Sequence, residues 1–249
     1  MTRLYADDAE LYDIAFDWDL AEEADWIVER LAAASVLEPG CGSGRMLAAL
    51  AARGVEVVGI DSSATMLDLA RRRLGGIARV VEADMTDFQL GRRFHGAVSP
   101  INTLLHLSPE QLERHLGCVA EHLEPRSRYL VQVGLVDAAG GEALASSHWE
   151  ASRGETSLRI SWVDEELDLL QGRSLQRSTI EVLSGPRAGD VVEEVHEMTA
   201  WTPATWAAAI DASPFAEVAT YDGGVAKERW PEVGWDATGG LLWHDLRRR

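Results

Sequence analysis

Ten residues, VLEPGCGSGR at 36–45, concentrate more usable chemistry than any other stretch of the chain. A short apolar run ends in Glu38-Pro39, and glycine then takes every second position: Gly40, Gly42 and Gly44. With no Cβ in the way, backbone at such a turn can lie close against a ligand. The run that follows, RMLAALAAR, has a helical pattern, and the first turn of a helix offers unpaired N–H donors. Strand, tight turn and helix start together read as a nucleotide- or cofactor-binding loop. Downstream, Asp61 and Asp84 end two further apolar runs, and His106 follows a fourth, AVSPINTLLH. Carboxylates placed there accept hydrogen bonds from hydroxyls or amines, and a histidine can exchange a proton near neutral pH.

The elements that must hold these residues follow from periodicity. Near-continuous apolar runs at 35–38, 55–61, 79–84, 94–99 and 129–135 alternate with helical patterns at 45–53, 64–74 and 109–123. That alternation indicates parallel strands covered on both faces. Right-handed crossovers then give an open, doubly wound sheet, which binds ligands beyond the carboxyl ends of its strands. An acidic amphipathic helix at 20–34 (LAEEADWIVERLAAA) precedes it. After residue 136 the rhythm changes, and segments 158–163, 175–183 and 191–199 alternate polar with apolar residues. These read as antiparallel strands with one wet face, joined across 185–189 by a Gly-Pro hairpin turn. A helix at 203–212, with Thr202 as N-cap and Pro203 in first position, and late strands at 216–221 and 241–246 resume the core. The fold class is therefore α/β: a doubly wound, seven-stranded, mostly parallel Rossmann-like sheet with an antiparallel insertion after the fifth strand.

With 249 residues, 46% of them hydrophobic, the chain suffices for one large domain. A formal net charge of −18 disfavours nucleic acid and anionic membrane, whose binding leans on Lys and Arg, and favours a small-molecule partner. Cys41 and Cys118 form no disulfide framework, and no metal site is expected. The acidic N-terminus does not read as a signal peptide, and no apolar run has the length of a membrane span, so a cytoplasmic location is expected.

A dinucleotide fingerprint, G-x-G-x-x-G/A, fails here, because its sixth position falls on Arg45 counted from Gly40 and on Leu47 counted from Gly42. The loop reads E-P-G-C-G-S-G and resembles the first motif of the class I S-adenosylmethionine-dependent methyltransferases, an acidic residue followed by G-x-G-x-G. The resemblance continues through Asp61, Asp84-Met85 and AVSPINTLLHL, covering 36–137. It implies ribose binding at Asp61 with Ser62, adenine binding at Asp84 and Met85, and a methyl-transfer face after the fourth strand at Ser99. Asp61 suits both ribose hydroxyls, with an N-cap as the alternative. Asp84 suits an exocyclic amine, or an ordinary turn. Met66 packs on adenine or belongs to the core. Glu38 would orient the loop and the methionine ammonium, and Arg45 either meets the ligand carboxylate or stays solvated. Tyr5 and Tyr12, in YADDAELYDIAFDWD, resemble the family's N-terminal helical lid, and either closes on cofactor or anchors that lid.

For the chemistry itself, His106 is the candidate base, although an aligned amine needs none. The form N-T-L-L-H-L resembles small-molecule methyltransferases, including amino-sugar and glycine-type N-methylases, and departs from the [DN]-P-P-[YF] of DNA and protein relatives. Asn102, Trp149, Trp162, His196 and Trp201 are the candidate substrate residues. The chain is thus expected to be a single methyltransferase domain: lid 1–34, cofactor-binding core 35–137, substrate-side insertion 138–200, end of core 201–249. It would transfer a methyl group from S-adenosylmethionine to N or O of a metabolite, releasing S-adenosylhomocysteine, as a monomer or homodimer. The alternatives are a natural-product enzyme using the same cofactor for cyclisation or decarboxylation, and a non-catalytic binding protein.

Overall fold

A computed structural model describes residues 3–137, 146–223, 232–233 and 240–249. A 3-10 turn at Arg3–Tyr5 leads into α1 (Ala9–Ala15) and α2 (Ala21–Leu31). The core then runs β1 (Ser35–Pro39), α3 (Arg45–Ala51), β2 (Glu56–Asp61), α4 (Ala64–Leu74), β3 (Arg79–Glu82), β4 (Phe94–Ser99), α5 (Pro109–Glu121) and β5 (Leu123–Leu135). Next come β6 (Ser146–Arg153), β7 (Thr156–Asp168), β8 (Arg173–Ser184) and β9 (Val191–Thr199). The chain closes with α6 (Pro203–Asp211), β10 (Phe215–Asp222), β11 (Glu232–Val233) and β12 (Gly240–Arg248).

Local signals explain most boundaries. α2 stops at Leu31, short of the expected 34, because Ala32 takes a left-handed φ of 46° and returns its N–H to the Val28 carbonyl. Both α5 and α6 open on complete capping boxes, Ser108 with Gln111 and Thr202 with Thr205, each with Pro in the first turn. β5 begins six residues before the apolar run that signalled it, since its first turn of strand is polar and only Leu123 is buried there.

The main sheet has the order β11-β10-β12-β5-β4-β1-β2-β3. Strands β1 to β5 are mutually parallel, and β12 inserts antiparallel between β5 and β10. Among the described residues the count is eight rather than seven, because the two-residue β11 pairs with Thr220 and Tyr221. Strand order reverses between β1 and β4, which makes their carboxyl ends the switch point where open α/β sheets receive ligands. Apolar side chains bury both sheet faces in two clusters, one around Leu37, Phe94 and Trp206, the other around Ile27, Leu47 and Trp243.

The insertion is a separate antiparallel sheet, β6-β7-β8-β9. Its strand β6 was not expected, because SSHWEASR offers only Trp149 and Ala151 to the apolar side. The expected start of the insertion, 138–145, lies outside the described residues. One face of this sheet, built from Leu158, Ile160, Ile180, Val182 and Val192, packs on Leu4, Leu11, Ile14 and Phe16 of the N-terminal segment. Each such side chain contributes roughly 1.5–3 kcal/mol when fully buried. No helix among the described residues is long and apolar enough to cross a membrane.

Candidate functional site

A cavity of about 450 Å³ opens beyond the ends of β1, β2 and β4, with a smaller lobe of about 80 Å³ beside it. Tyr12, Gly40, Gly42, Ile101 and Thr103 line both lobes and so mark their junction.

The glycine loop is pinned from beneath, with the N–H groups of Gly40 and Cys41 both donating to the Ile60 carbonyl at 2.8 and 2.9 Å. Gly40 has φ +72°, and a Cβ there would lie 2.6 Å from Thr103 Cγ2, so both conformation and space demand glycine. Gly42 meets nothing within 4 Å of a built Cβ; its left-handed φ of +52° is what glycine supplies. Its N–H donates to Asp61 Oδ2 at 2.8 Å. Gly44, φ +75°, is the N-cap of α3.

Asp61 ends β2 on the cavity wall, where its Oδ1 also accepts from the Ser63 N–H at 2.8 Å. The N-cap of α4 is Ser63, whose hydroxyl accepts from Met66 N–H, so the capping role does not fall to Asp61. Burial pushes the Asp61 carboxyl up, and the amides of Ser63, Gly42 and Ser62 oppose that shift. Ser62 is exposed and lines the cavity; Met66 is buried against Tyr5 and Tyr12 and also forms wall. Asp84 and Met85 lie in the turn after β3, and Asp84 Oδ1 takes the Thr86 N–H and hydroxyl, each at 2.8 Å. The smaller lobe holds Glu38 and Arg45. Burial pushes the Glu38 carboxyl well above its usual range, and its Oε2 has no partner among the described residues. The Arg45 guanidinium stacks 4.6 Å over Trp18 and donates to the Trp18 carbonyl.

Elsewhere on the cavity wall, the Tyr5 hydroxyl and His106 Nε2 share a hydrogen bond of 3.2 Å. Desolvation, with His196 nearby, holds the His106 imidazole down to about 4, although part of the residue stays exposed. His196 stacks on Trp162 at 4.7 Å and bonds Ser178, and its ring centroid lies 6.4 Å from that of Tyr5. Burial raises the Tyr12 hydroxyl to about 12 and the Tyr5 hydroxyl well above its usual value, so both stay protonated.

Seven expected residues lie off the cavity wall: Gly44, the stacked pair Trp162 and His196, and the four that follow. Ser99 is fully buried beneath it and bonds the Tyr129 hydroxyl at 2.7 Å. Asn102 spends its Oδ1 on Gly134 N–H at 2.6 Å and holds a loop. Trp201 is core, edge-on to Trp206, because a bridge to Leu135 draws it under the main sheet. Trp149 donates to the Ala15 carbonyl at 2.7 Å and so fastens α1 to β6.

Several wall residues were not anticipated: Ile101, Thr103, Leu107 and Ala83. Ile101 has φ +53°, an outlier for a β-branched residue, and sits where the lobes join. Its N–H donates at 2.8 Å to the side chain of Gln132, which in turn donates to the Gly223 carbonyl at 2.9 Å. A buried Gln inside YLVQVGL was the available sequence signal. The N-terminal segment is tied down on several sides. Glu194 accepts from the N–H groups of Arg3 and Leu4, Ser63 bonds the Tyr5 carbonyl, and Arg187 pairs with Asp8 at 2.8 Å. Asp13 joins α1 to Arg73 of α4, Arg153 of β6 and Ser43 of the glycine loop.

Residues 36–126 match the family model of a methyltransferase domain. A dTDP-3-amino-3,4,6-trideoxy-alpha-D-glucopyranose N,N-dimethyltransferase of Streptomyces venezuelae is 30% identical over 164 residues, 62% of this chain and 69% of that protein. A dTDP-3-amino-3,6-dideoxy-alpha-D-glucopyranose N,N-dimethyltransferase of Streptomyces fradiae is 30% identical over 172 residues, 68% of this chain and 65% of that one. Among solved structures, Streptomyces venezuelae DesVI superposes with a TM-score of 0.77 at 24% identity, covering 96% of this chain and 98% of that one. The S-adenosylmethionine-bound amino pentose methyltransferase CalS10 of Micromonospora echinaspora gives 0.75 at 19%, covering 96% and 97%.

Proposed function

The chain belongs to the class I S-adenosylmethionine-dependent methyltransferases that act on small molecules, and we propose that its acceptor is the amino group of a sugar or a comparable primary or secondary amine. The observation that carries this reading is the two-lobed cavity at the switch point, lined by Tyr12 at the junction and by Tyr5 and His106 in the larger lobe. The named activities of the Streptomyces relatives support nitrogen over oxygen.

The residues present fit the cofactor. Glu38 offers a buried carboxyl oxygen with no partner among the described residues, which a bound ammonium would hold ionised against the upward pull of burial, and Arg45 lies in the same lobe for a carboxylate. Asp61 has lone pairs left for ribose hydroxyls after its two amide bonds, and the Asp84–Met85 turn meets the base. S-adenosylmethionine supplies a methyl carbon on a cationic sulfur, with a neutral thioether as leaving group. The protein's share is alignment: Ile101 and Thr103 shape the junction, and the N-terminal segment excludes water as a lid. With its imidazole held near 4, His106 is neutral at physiological pH and orients Tyr5 and the amine rather than storing a proton. The amine arrives with its lone pair free, having given its proton to solvent. The unpaired thiols of Cys41 and Cys118 support a cytoplasmic setting.

A mass-resolved screen of amines, amino sugars, phenols and carboxylates tests the reading. Gain of one or two methyl masses on amines only is the expected result; transfer to phenols or carboxylates alone refutes the nitrogen assignment.

A further inference from the structure

Beneath the cavity floor runs a line of polar side chains that the methyl transfer does not use. Ser99 Oγ and the Tyr129 hydroxyl are 2.7 Å apart, the Tyr129 hydroxyl and His115 Nε2 2.8 Å, and His115 Nδ1 and the Met85 carbonyl 2.8 Å. Ser99, Tyr129 and His115 are each fully buried. The proton positions follow from the last partner. A carbonyl only accepts, so Nδ1 carries the imidazole proton and Nε2 keeps its lone pair. The Tyr129 hydroxyl therefore donates to Nε2, and its oxygen accepts from Ser99. All donors point one way, from the end of β4 through β5 and α5 to the turn after β3, and bonds so aligned polarise one another. Burial keeps the ring neutral, with its imidazole down to about 4.

The terminus of this line is specific. Met85 lines the cavity, and its carbonyl is held from below while Asp84 is held from the side by Thr86. The turn thus has little freedom to tilt. We propose that His115, backed by Tyr129 and Ser99, is a positioning residue that fixes the Asp84–Met85 edge and thereby sets the discrimination of the cofactor's adenine from other bases. Ser99 then serves the cofactor indirectly, through Tyr129. The inference rests on the assignment of that edge to adenine.

Calorimetry with S-adenosylhomocysteine and its hypoxanthine counterpart, S-inosylhomocysteine, tests it in two variants. In His115→Asn the amide nitrogen stands where Nδ1 stood and still reaches the Met85 carbonyl; in His115→Gln it stands at Nε2 and does not. Wild-type protein is expected to prefer the adenine ligand by about tenfold or more, a preference that the Asn variant keeps within about threefold and the Gln variant loses. Melting temperatures, read alongside, are expected to fall similarly in both. Should the Gln variant not fold, Tyr129→Phe removes the donor that holds the ring at Nε2 and is expected to cut the preference about threefold. Asn and Gln variants with the same preference, or a Tyr129→Phe variant with wild-type preference, overturn the inference alone. Wild-type protein that binds neither ligand overturns the site assignment together with it.

Discussion

Replacing Asp13 with Asn removes one charge from the joint between α1, the glycine loop, α4 and β6. Asp13 is 4% exposed and accepts from Arg73 at 2.9 and 3.2 Å, from Arg153 at 2.7 Å and from the Ser43 hydroxyl. Removing one member of a buried ion pair costs about 3–5 kcal/mol. Here the loss is smaller, because Arg73 and Arg153 remain 21% and 38% exposed and both also reach Asp17, at 3.5 and 2.7 Å. A loss of about 2–3 kcal/mol remains after that discount. For a chain of this size that is a fall of roughly 4–12 °C in melting temperature. Burial alone would raise the Asp13 carboxyl, but the bonds from Ser43, Arg153 and Arg73 outweigh it and hold it below the usual range. Its stabilisation is therefore complete above the free value of about 3.9 and is lost as pH falls through the lower folded value, a limb the Asn variant lacks. Scanning calorimetry measures the shift, and hydrogen exchange over residues 3–16 shows whether the N-terminal segment opens first. A shift below about 1 °C, or a full shift with unchanged exchange in that segment, refutes the joint.

Other substitutions probe the remaining parts. Asp61→Ala is expected to weaken S-adenosylhomocysteine binding by at least about tenfold in calorimetry, since a charge-assisted acceptor is worth roughly 1.5–3 kcal/mol; unchanged affinity removes Asp61 from the site. Gln132→Leu leaves the Ile101 N–H and the Gly223 carbonyl unpaired, so kcat should drop while S-adenosylhomocysteine affinity changes little, because the perturbation lies at the lobe junction; a loss confined to affinity contradicts this. Because His106 stays neutral down to about 4, kcat/KM should follow the deprotonation of the amine used, moving when a more acidic amine is supplied. A limb fixed near 6.5 for every acceptor would restore His106 as the base. His115, lowered to about 4 in the fold against about 6.5 when free, leaves the unfolded chain binding one more proton between those values. Stability is then full above 6.5 and falls by about 1.4 kcal/mol per pH unit below it, a slope that denaturant titrations of His115→Asn should show diminished by about one proton.

Local patterning made the parallel core legible. Strands buried on both faces are nearly all apolar, and β4 emerged with the expected bounds, as did α4, although Ser63 rather than Asp61 caps it. The glycine loop, Asp61, Asp84 and Met85 were legible because each sits where a strand ends. The same rule misplaced Ser99, since a strand buried on both sides gives no alternation to tell cavity from interior. Trp149 and Trp201 share composition with Trp162, and only long-range pairing decides which of them meets α1, the core or His196. Ile101 was missed, because its own residue type signals no left-handed turn and the only cue, a glutamine inside an apolar strand, lies 31 positions later.

The packing of Leu4, Leu11, Ile14 and Phe16 on β7, β8 and β9 has a bearing on how this protein could be re-engineered. This packed unit is assembled from two pieces of chain, 3–16 and 146–199, more than a hundred residues apart. A chimera that grafts a relative's antiparallel sheet alone would set foreign side chains against this chain's own helix and strand Asp8 and Asp13 without Arg187 and Arg153. Exchange of the antiparallel sheet between such enzymes therefore requires both pieces to travel together.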